Sequence, residues 1–189
     1  MHVARDDRAG LRRAVFVAVV VLTASLDLWS KSEAFARIGP PDTGRAREVV
    51  AGILRFETAT NPGIAWSLLS DRNARWFIVC LSLVALTVIG AAFLRARSPG
   101  WPLTAALALI AGGTIGNLYD RIAFGAVRDF VHVTCIRFPI FNVADSLICI
   151  GAALFAIEQF FAARPRTLAA ERGAEADPGR GGSAAASRH

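Results

Sequence analysis

The sequence is poor in the residues that most often carry hydrolytic or metal chemistry. Its three cysteines, Cys80, Cys135 and Cys149, form no CxxC pair and stand at no metal-ligand spacing from a histidine, which argues against a zinc site and against a disulfide framework. Cys80 and Cys149 lie inside apolar runs and read as packing residues. Cys135 has no base beside it in sequence, so a cysteine nucleophile has little support. Of the three histidines only His132 is central, and the alternation Val131-His132-Val133 reads as one face of an extended segment, not as a catalytic base. There is no Gly-x-Ser-x-Gly elbow, no His-Glu-x-x-His helix and no phosphate-cradling glycine loop with its lysine. Lysine itself is almost missing: among 21 basic residues Lys31 is the only one. The arginines that supply the rest of a formal charge of +6 stand in the flanks of apolar runs and not on one basic face. They read as topological signals, and no nucleic-acid partner is expected.

Hydrophobic sequence is plentiful. At 54% apolar residues and a mean hydropathy of +0.44, the 189-residue chain has the composition of a membrane protein. A polar stretch, 1–13, precedes the first apolar run. With a poor small-x-small site near residues 23–25 and further runs to follow, that run reads as an uncleaved helix and not as a signal peptide. Spans are expected at about 14–30, 76–94, 101–119 and 141–163; a run of about 19 residues gives roughly 28 Å of helix, close to the hydrocarbon thickness. The connection 32–75 holds Gly39-Pro40-Pro41 and two extended candidates, 48–53 and 55–60, which together suggest a small extramembrane sheet. It ends in the turn signature Asn61-Pro62-Gly63, followed by a short amphipathic segment with Trp66 at the interface. Gly112, Gly113 and Gly116 in the third span permit close helix contact or backbone approach to a ligand. Residues 164–189 have the composition of a disordered tail. The predicted fold is mainly α: four transmembrane helices with a small extracytoplasmic β-rich element from the first loop.

Short arginine-bearing segments at the N-terminus, at Arg95/Arg97 and at Arg164/Arg166 put both termini in the cytoplasm. The helices then alternate so that Asp27 and Lys31, Asn61, residues 116–121, Asp129, Asn142 and Asp145 all fall near the outer face. Asp27 and Lys31, four apart, read either as an interfacial ion pair with a snorkelling lysine or as a pair that orders the site. Within residues 112–145, three aspartates, two asparagines and an arginine lie against membrane-length apolar sequence. Such groups persist there when paired, hydrated or used for chemistry. Two carboxyl groups held close together share a proton and supply an acid and a base at one pH, so aspartyl proteolysis fits best. Which two of Asp120, Asp129 and Asp145 meet stays open from the residues alone. A proton relay in a small transporter is the rival reading, but the acids gather at one depth and trace no path across the bilayer.

The motifs Asp27-Leu28-Trp29-Ser30-Lys31, Asn61-Pro62-Gly63, the run from Gly112 through Gly116-Asn117-Leu118-Tyr119-Asp120-Arg121, Val127-Arg128-Asp129-Phe130 and Phe138-Pro139-Ile140-Phe141-Asn142-Val143-Ala144-Asp145 occur in one order along the chain. In that order they resemble the bacterial lipoprotein signal peptidases, also called signal peptidase II. The resemblance implies a catalytic pair of Asp129 and Asp145, supported by Asp27, Lys31, Asn61, Gly63, Asn117, Asp120, Arg121 and Asn142. It implies an aspartic endopeptidase of the bacterial inner membrane that cuts diacylglyceryl-modified prolipoproteins on the N-terminal side of the lipidated cysteine. Nothing in the sequence demands more than a monomer in contact with membrane lipid, no metal or organic cofactor is expected, and the resemblance implies inhibition by globomycin-like peptides. Arg128 departs from the apolar residue usual in the family, and Ile64 and Trp66 differ from the residues common after its Asn-x-Gly. If Arg128 points at the pair it should depress a carboxylate pKa, and if it alternates outward it should not.

Overall fold

The structure, a computed structural model, describes residues 3–63, 72–96 and 100–175. Among the described residues four helices carry the chain: α1 (Val3–Ile38), α2 (Arg72–Arg95), α3 (Trp101–Ala123) and α4 (Val143–Glu175). Among the described residues, four stretches are long and apolar enough to cross a membrane: Ala9–Ile38, Arg75–Arg95, Trp101–Ala123 and Val143–Phe161. Their outward faces carry Val17, Val21 and Leu22, then Leu81, Val84 and Val88, then Ile150 and Phe155, all exposed. Apolar surface on that scale is what a lipid-facing helix presents, since its backbone is already satisfied internally.

The helix α3 lies innermost. Pro102 in its first turn costs no hydrogen bond, because the amides there are unpaired in any helix. Its glycines let neighbouring backbones in. A Cβ at Gly113 would stand 2.6 Å from the Ala144 carbonyl oxygen of α4, and one at Gly116 would overlap the Asp27 carboxylate of α1. The small-residue face predicted from sequence is therefore where α1 and α4 meet α3.

Three antiparallel strands in the order β1 (Ala46–Val50), β2 (Leu54–Asn61) and β3 (Val127–Val133) form the sheet. Gly52, at φ +67, closes the β1–β2 hairpin, and Gly125, at φ +82, turns the chain from α3 into β3. In the β2–β3 ladder Ala59 stands opposite Asp129 and Asn61 opposite Val127. On the far side of β3, Phe141 exchanges backbone hydrogen bonds with Val131 at 2.8 and 3.0 Å and so anchors the segment that enters α4. These two attachments bring Asp129 and the first turn of α4 together.

Several boundaries differ from the sequence reading. Residues 32–38, expected in the loop, continue α1, and α3 runs on through Asp120 and Arg121 to Ala123. Both extensions are polar sequence whose charged groups find partners in the fold, so helix propagation continues past the apolar run. The α4 helix extends to Glu175, where disorder was expected from residue 164; alanine, leucine, arginine and glutamate there are strong helix formers. Ile64 and Trp66 lie outside the described residues, as do Arg97 and the tail beyond Glu175. Cys80 and Cys149 are exposed and not buried as packing residues. The chain divides into two units, Met1–Phe155 and Ala156–His189, and everything that follows concerns the first.

Candidate active site

Lys31 is fully enclosed, at 0% exposure, which overturns the snorkelling reading. Its ammonium group is 2.7 Å from Asp27 Oδ2 and 3.3 Å from Asp120 Oδ2, and it donates to Asn117 Oδ1 at 2.8 Å. One hydrogen bond and two ion-pair contacts thus surround the ammonium group. A buried cation matched in this way is worth little net stability against an apolar substitute, but removal of either sign costs about 3–5 kcal/mol because the partner is left buried and uncompensated.

The cluster is tied into α4 through its helix N-terminus, whose first amides have no intrahelical acceptor. Asp27 Oδ1 accepts from the Ala144 amide at 2.8 Å. Asn142 is the cap: its Oδ1 accepts from the Asp145 amide at 2.9 Å, while Asp145 Oδ2 accepts from the Asn142 amide at 3.2 Å. This reciprocal arrangement is a capping box built from Asn and Asp, and it fixes the Asp145 side chain at the mouth of the helix.

Asn117 reads the same geometry from α3. Lys31 and Asn142 both donate to its oxygen, the latter at 3.1 Å, so its amide nitrogen must be the group that faces Asp145, at 2.8 Å. Asn142 Nδ2 also donates to Asp129 Oδ1 at 2.6 Å, and Asn61 supplies a further side-chain hydrogen bond to Asp129. Asn61 Oδ1 in turn accepts from the Gly63 amide at 3.1 Å, so the Asn-Pro-Gly turn holds an Asx geometry and presents its asparagine to the site. Arg121 donates to the Gly63 carbonyl at 3.0 Å and to the Asn117 carbonyl at 3.4 Å, which joins the loop to α3.

Asp129 is 2% exposed. Burial pushes its carboxyl up from 3.8 to about 7, with the negative charge of Asp145 adding to the effect and the hydrogen bond from Asn142 opposing it. Asp129 and Asp145 both line one cavity of about 440 Å³, together with Asn61, Asn117, Arg121 and an apolar wall that includes Val127, Phe138 and Phe141. Asp120 has no part in that lining. Its Oδ1 accepts from Arg128 Nη2 at 2.8 Å and Nε at 3.2 Å, and its Oδ2 accepts from the Arg128 amide at 3.0 Å while facing Lys31. Arg128 therefore points away from the pair, as alternation along a strand requires, and packs over the ring of Phe124 at 4.3 Å.

All ten residues singled out from the sequence lie in this network or against the cavity. The apolar wall was legible only as part of a motif, and Ser146 and Cys149 were missed as lining residues. Their signal was helical spacing: Cys149 is four residues on from Asp145 and shares its face. His132 bonds Glu57 at 2.8 Å on the sheet and is not among the cavity residues.

An arrangement of two carboxyl groups in one apolar-walled cleft, one of them with its titration raised to about 7, can activate water against a carbonyl group. The comparisons with known proteins converge on a signal peptidase family. A family model described as Signal peptidase (SPase) II matches residues 18–161. A lipoprotein signal peptidase from Pseudoalteromonas translucida is 43% identical over 110 residues, 56% of this chain and 66% of that one, so the match spans just under two thirds of that relative's length. Another, from Lactiplantibacillus plantarum, is 32% identical over 143 residues, 76% of this chain and 92% of the relative. The solved structure of a bacterial membrane enzyme, obtained at 2.3 Å by the in meso method, superposes with a TM-score of 0.71 at 27% identity, over 78% of this chain and 88% of that one. The four spans and this neighbour make the chain a multi-pass membrane protein, and the extent of the family match makes it a peptidase: it belongs to the signal peptidase II family.

Proposed function

We propose that the protein is an aspartic endopeptidase that removes signal peptides from diacylglyceryl-modified prolipoproteins, cleaving on the N-terminal side of the lipidated cysteine, with Asp129 and Asp145 as the catalytic pair. The observation that carries this reading is the division among three aspartates. Asp129 and Asp145 reach the cavity, whereas Asp120 is occupied by Lys31 and Arg128. Among the described residues the Asp145 side-chain oxygens accept from the Asn117 amide nitrogen and the Asn142 N–H, which suits an ionised carboxylate. Asp129 would then carry the shared proton.

In the proposed reaction Asp145 takes a proton from a water molecule as the water oxygen bonds to the scissile carbonyl carbon. Asp129 donates a hydrogen bond to the carbonyl oxygen, where negative charge develops. When the carbon–nitrogen bond breaks, the leaving amine takes a proton from the pair and a carboxylic acid product remains. No covalent intermediate and no metal or organic cofactor enters these steps. The apolar wall of Val127, Phe138 and Phe141 supports a lipid-bearing substrate that approaches within the membrane. Asp27, Lys31, Asn117, Asp120 and Asn142 would hold the pair, while Asn61, Gly63 and Arg121 would shape the substrate side. The reading includes a monomer of the bacterial inner membrane, inhibited by globomycin-like peptides at the same cleft.

The test is cleavage of a diacylglyceryl-modified precursor by the purified protein and its variants. Asp129→Asn and Asp145→Asn are each expected to lose activity by about 10²–10⁴-fold, the range of a lost acid–base group. Asp120→Asn should lower activity through stability and still cleave. Full activity in either of the first two variants would sink the pair, and equal cleavage of an unlipidated precursor would sink the lipid requirement.

A further inference from the structure

Around the cavity the ionisable side chains fall into opposed sets. Among the described residues, Asp27 and Lys31 come from α1, Asp120 and Arg121 from α3, Arg128 and Asp129 from β3, and Asp145 from α4, while Arg75 of α2 brings its guanidinium against the Gly125 turn that leads into β3. On β2, Arg55 and Glu57 pair with each other and with His132 at the sheet, and Arg137 is exposed in the connection to α4. Four of these groups form a contiguous quartet: Asp27 with Lys31, Lys31 with Asp120, and Asp120 with Arg128. Two carboxylates and two cations sum to zero. Without Arg128, one ammonium group would face two buried carboxylates. Asp120 is wholly buried and the Arg128 side chain is 13% exposed, so water could not screen the excess negative charge. The same contact fixes the strand itself, since Asp120 Oδ2 accepts the Arg128 amide next to Asp129 and Asn142 Nδ2 lies 3.5 Å from the Arg128 carbonyl oxygen.

We propose that Arg128 is a positioning residue for the catalytic pair, which through Asp120 cancels the charge of the buried quartet and holds the segment of β3 that presents Asp129. It touches no reacting atom. Its influence is electrostatic: an uncompensated negative charge behind Asp129 would make that carboxyl harder to ionise. The inference rests on the proposed aspartic mechanism for its consequence in catalysis, but the charge balance itself can be read without substrate.

The experiment compares the wild-type protein with Arg128→Met, Arg128→Lys and the double variant Asp120→Asn/Arg128→Met. Two readouts are taken: the pH profile of kcat/KM on a diacylglyceryl-modified precursor, and the titration of the Asp129 carboxyl band by infrared difference spectroscopy in the absence of substrate, assigned with Asp129→Asn. Arg128→Met should move the Asp129 titration and the alkaline limb of the profile upward by about half a pH unit or more. Arg128→Lys should restore both, and so should the double variant, whose quartet is again neutral even if its rate is lower. An unshifted titration in Arg128→Met overturns the proposal, as does an equal shift in the double variant, which would mean that lost packing and not lost charge was responsible. If Arg128→Met does not fold in detergent, Arg128→Gln gives the same charge change with a hydrogen-bond donor retained. A titration that shifts as expected in a protein that does not cleave the precursor would support the charge balance and refute the proposed function.

Discussion

At Asp129 two effects oppose each other. Enclosure in a low-dielectric site and the neighbouring Asp145 favour the neutral acid, whereas hydrogen bonds from Asn142 and Asn61 favour the carboxylate, and the first two win, to place the titration at about 7. The sign follows directly. A carboxyl whose folded value lies above its ordinary 3.8 stabilises the fold fully below about pH 4, and that contribution is lost as pH rises through about 7. For the proposed mechanism the same titration removes the acid. Cleavage measured as kcat/KM should therefore fall tenfold per pH unit above a midpoint near 7, and a rate that stays level to pH 9 would show that Asp129 is not the proton carrier. The division among the aspartates could not be read from residue order. Asp120 and Arg128 are eight positions apart across the Gly125 turn, and nothing in their spacing announces that the turn folds one onto the other. Lys31 was ambiguous for a similar reason, since an i,i+4 pair looks the same from sequence whether it faces lipid headgroups or the interior.

Among the elements, α3 decides whether the rest can assemble. Its face toward α1 is open only because residue 116 has no side chain: a Cβ there would overlap Asp27 Oδ2, the atom that meets Lys31. Gly116→Ala should push Asp27 off both Lys31 and the Ala144 amide, undo one cap of α4 and destabilise the protein by about 1–3 kcal/mol, as overpacking commonly does. Gly90→Ala in α2 is the matched control, because a Cβ there meets nothing within 4 Å and alanine is the better helix former. Thermal unfolding in detergent separates the two. A Gly116→Ala protein as stable as the control would mean that α1 and α3 can part without cost. Element existence was legible wherever the apolar period was strong, as in the four spans and the two strand candidates of the first loop. Element ends were not. The α1 helix reaches Ile38 and α3 reaches Ala123 because Lys31, Asp120 and Arg121 find tertiary partners, which a local apolar pattern does not contain.

For the whole molecule, the four spans alternate direction, so the N-terminal end of α1 and the α2–α3 connection fall on one side and the sheet with the start of α4 on the other. By the positive-inside rule we propose that the first side, flanked by Arg12, Arg13 and Arg95 among others, is the cytoplasmic one. The long first loop is rich in arginine too, but charge counts weigh less in a loop of that length, and its acids reduce the excess. On that proposal the cavity and both proposed catalytic carboxyls lie at the outer face, where a precursor already translocated would present its cleavage point. Thiol accessibility tests it. Cys135 is exposed just after β3 and should react in intact cells with a membrane-impermeant maleimide once Cys80 and Cys149 are replaced by alanine. In a background without native cysteines, Ala96→Cys, placed between α2 and α3, should react only after the membrane is permeabilised. Labelling of residue 96 from outside, with residue 135 protected, would invert the molecule and put the cavity on the side from which a translocated substrate has already departed.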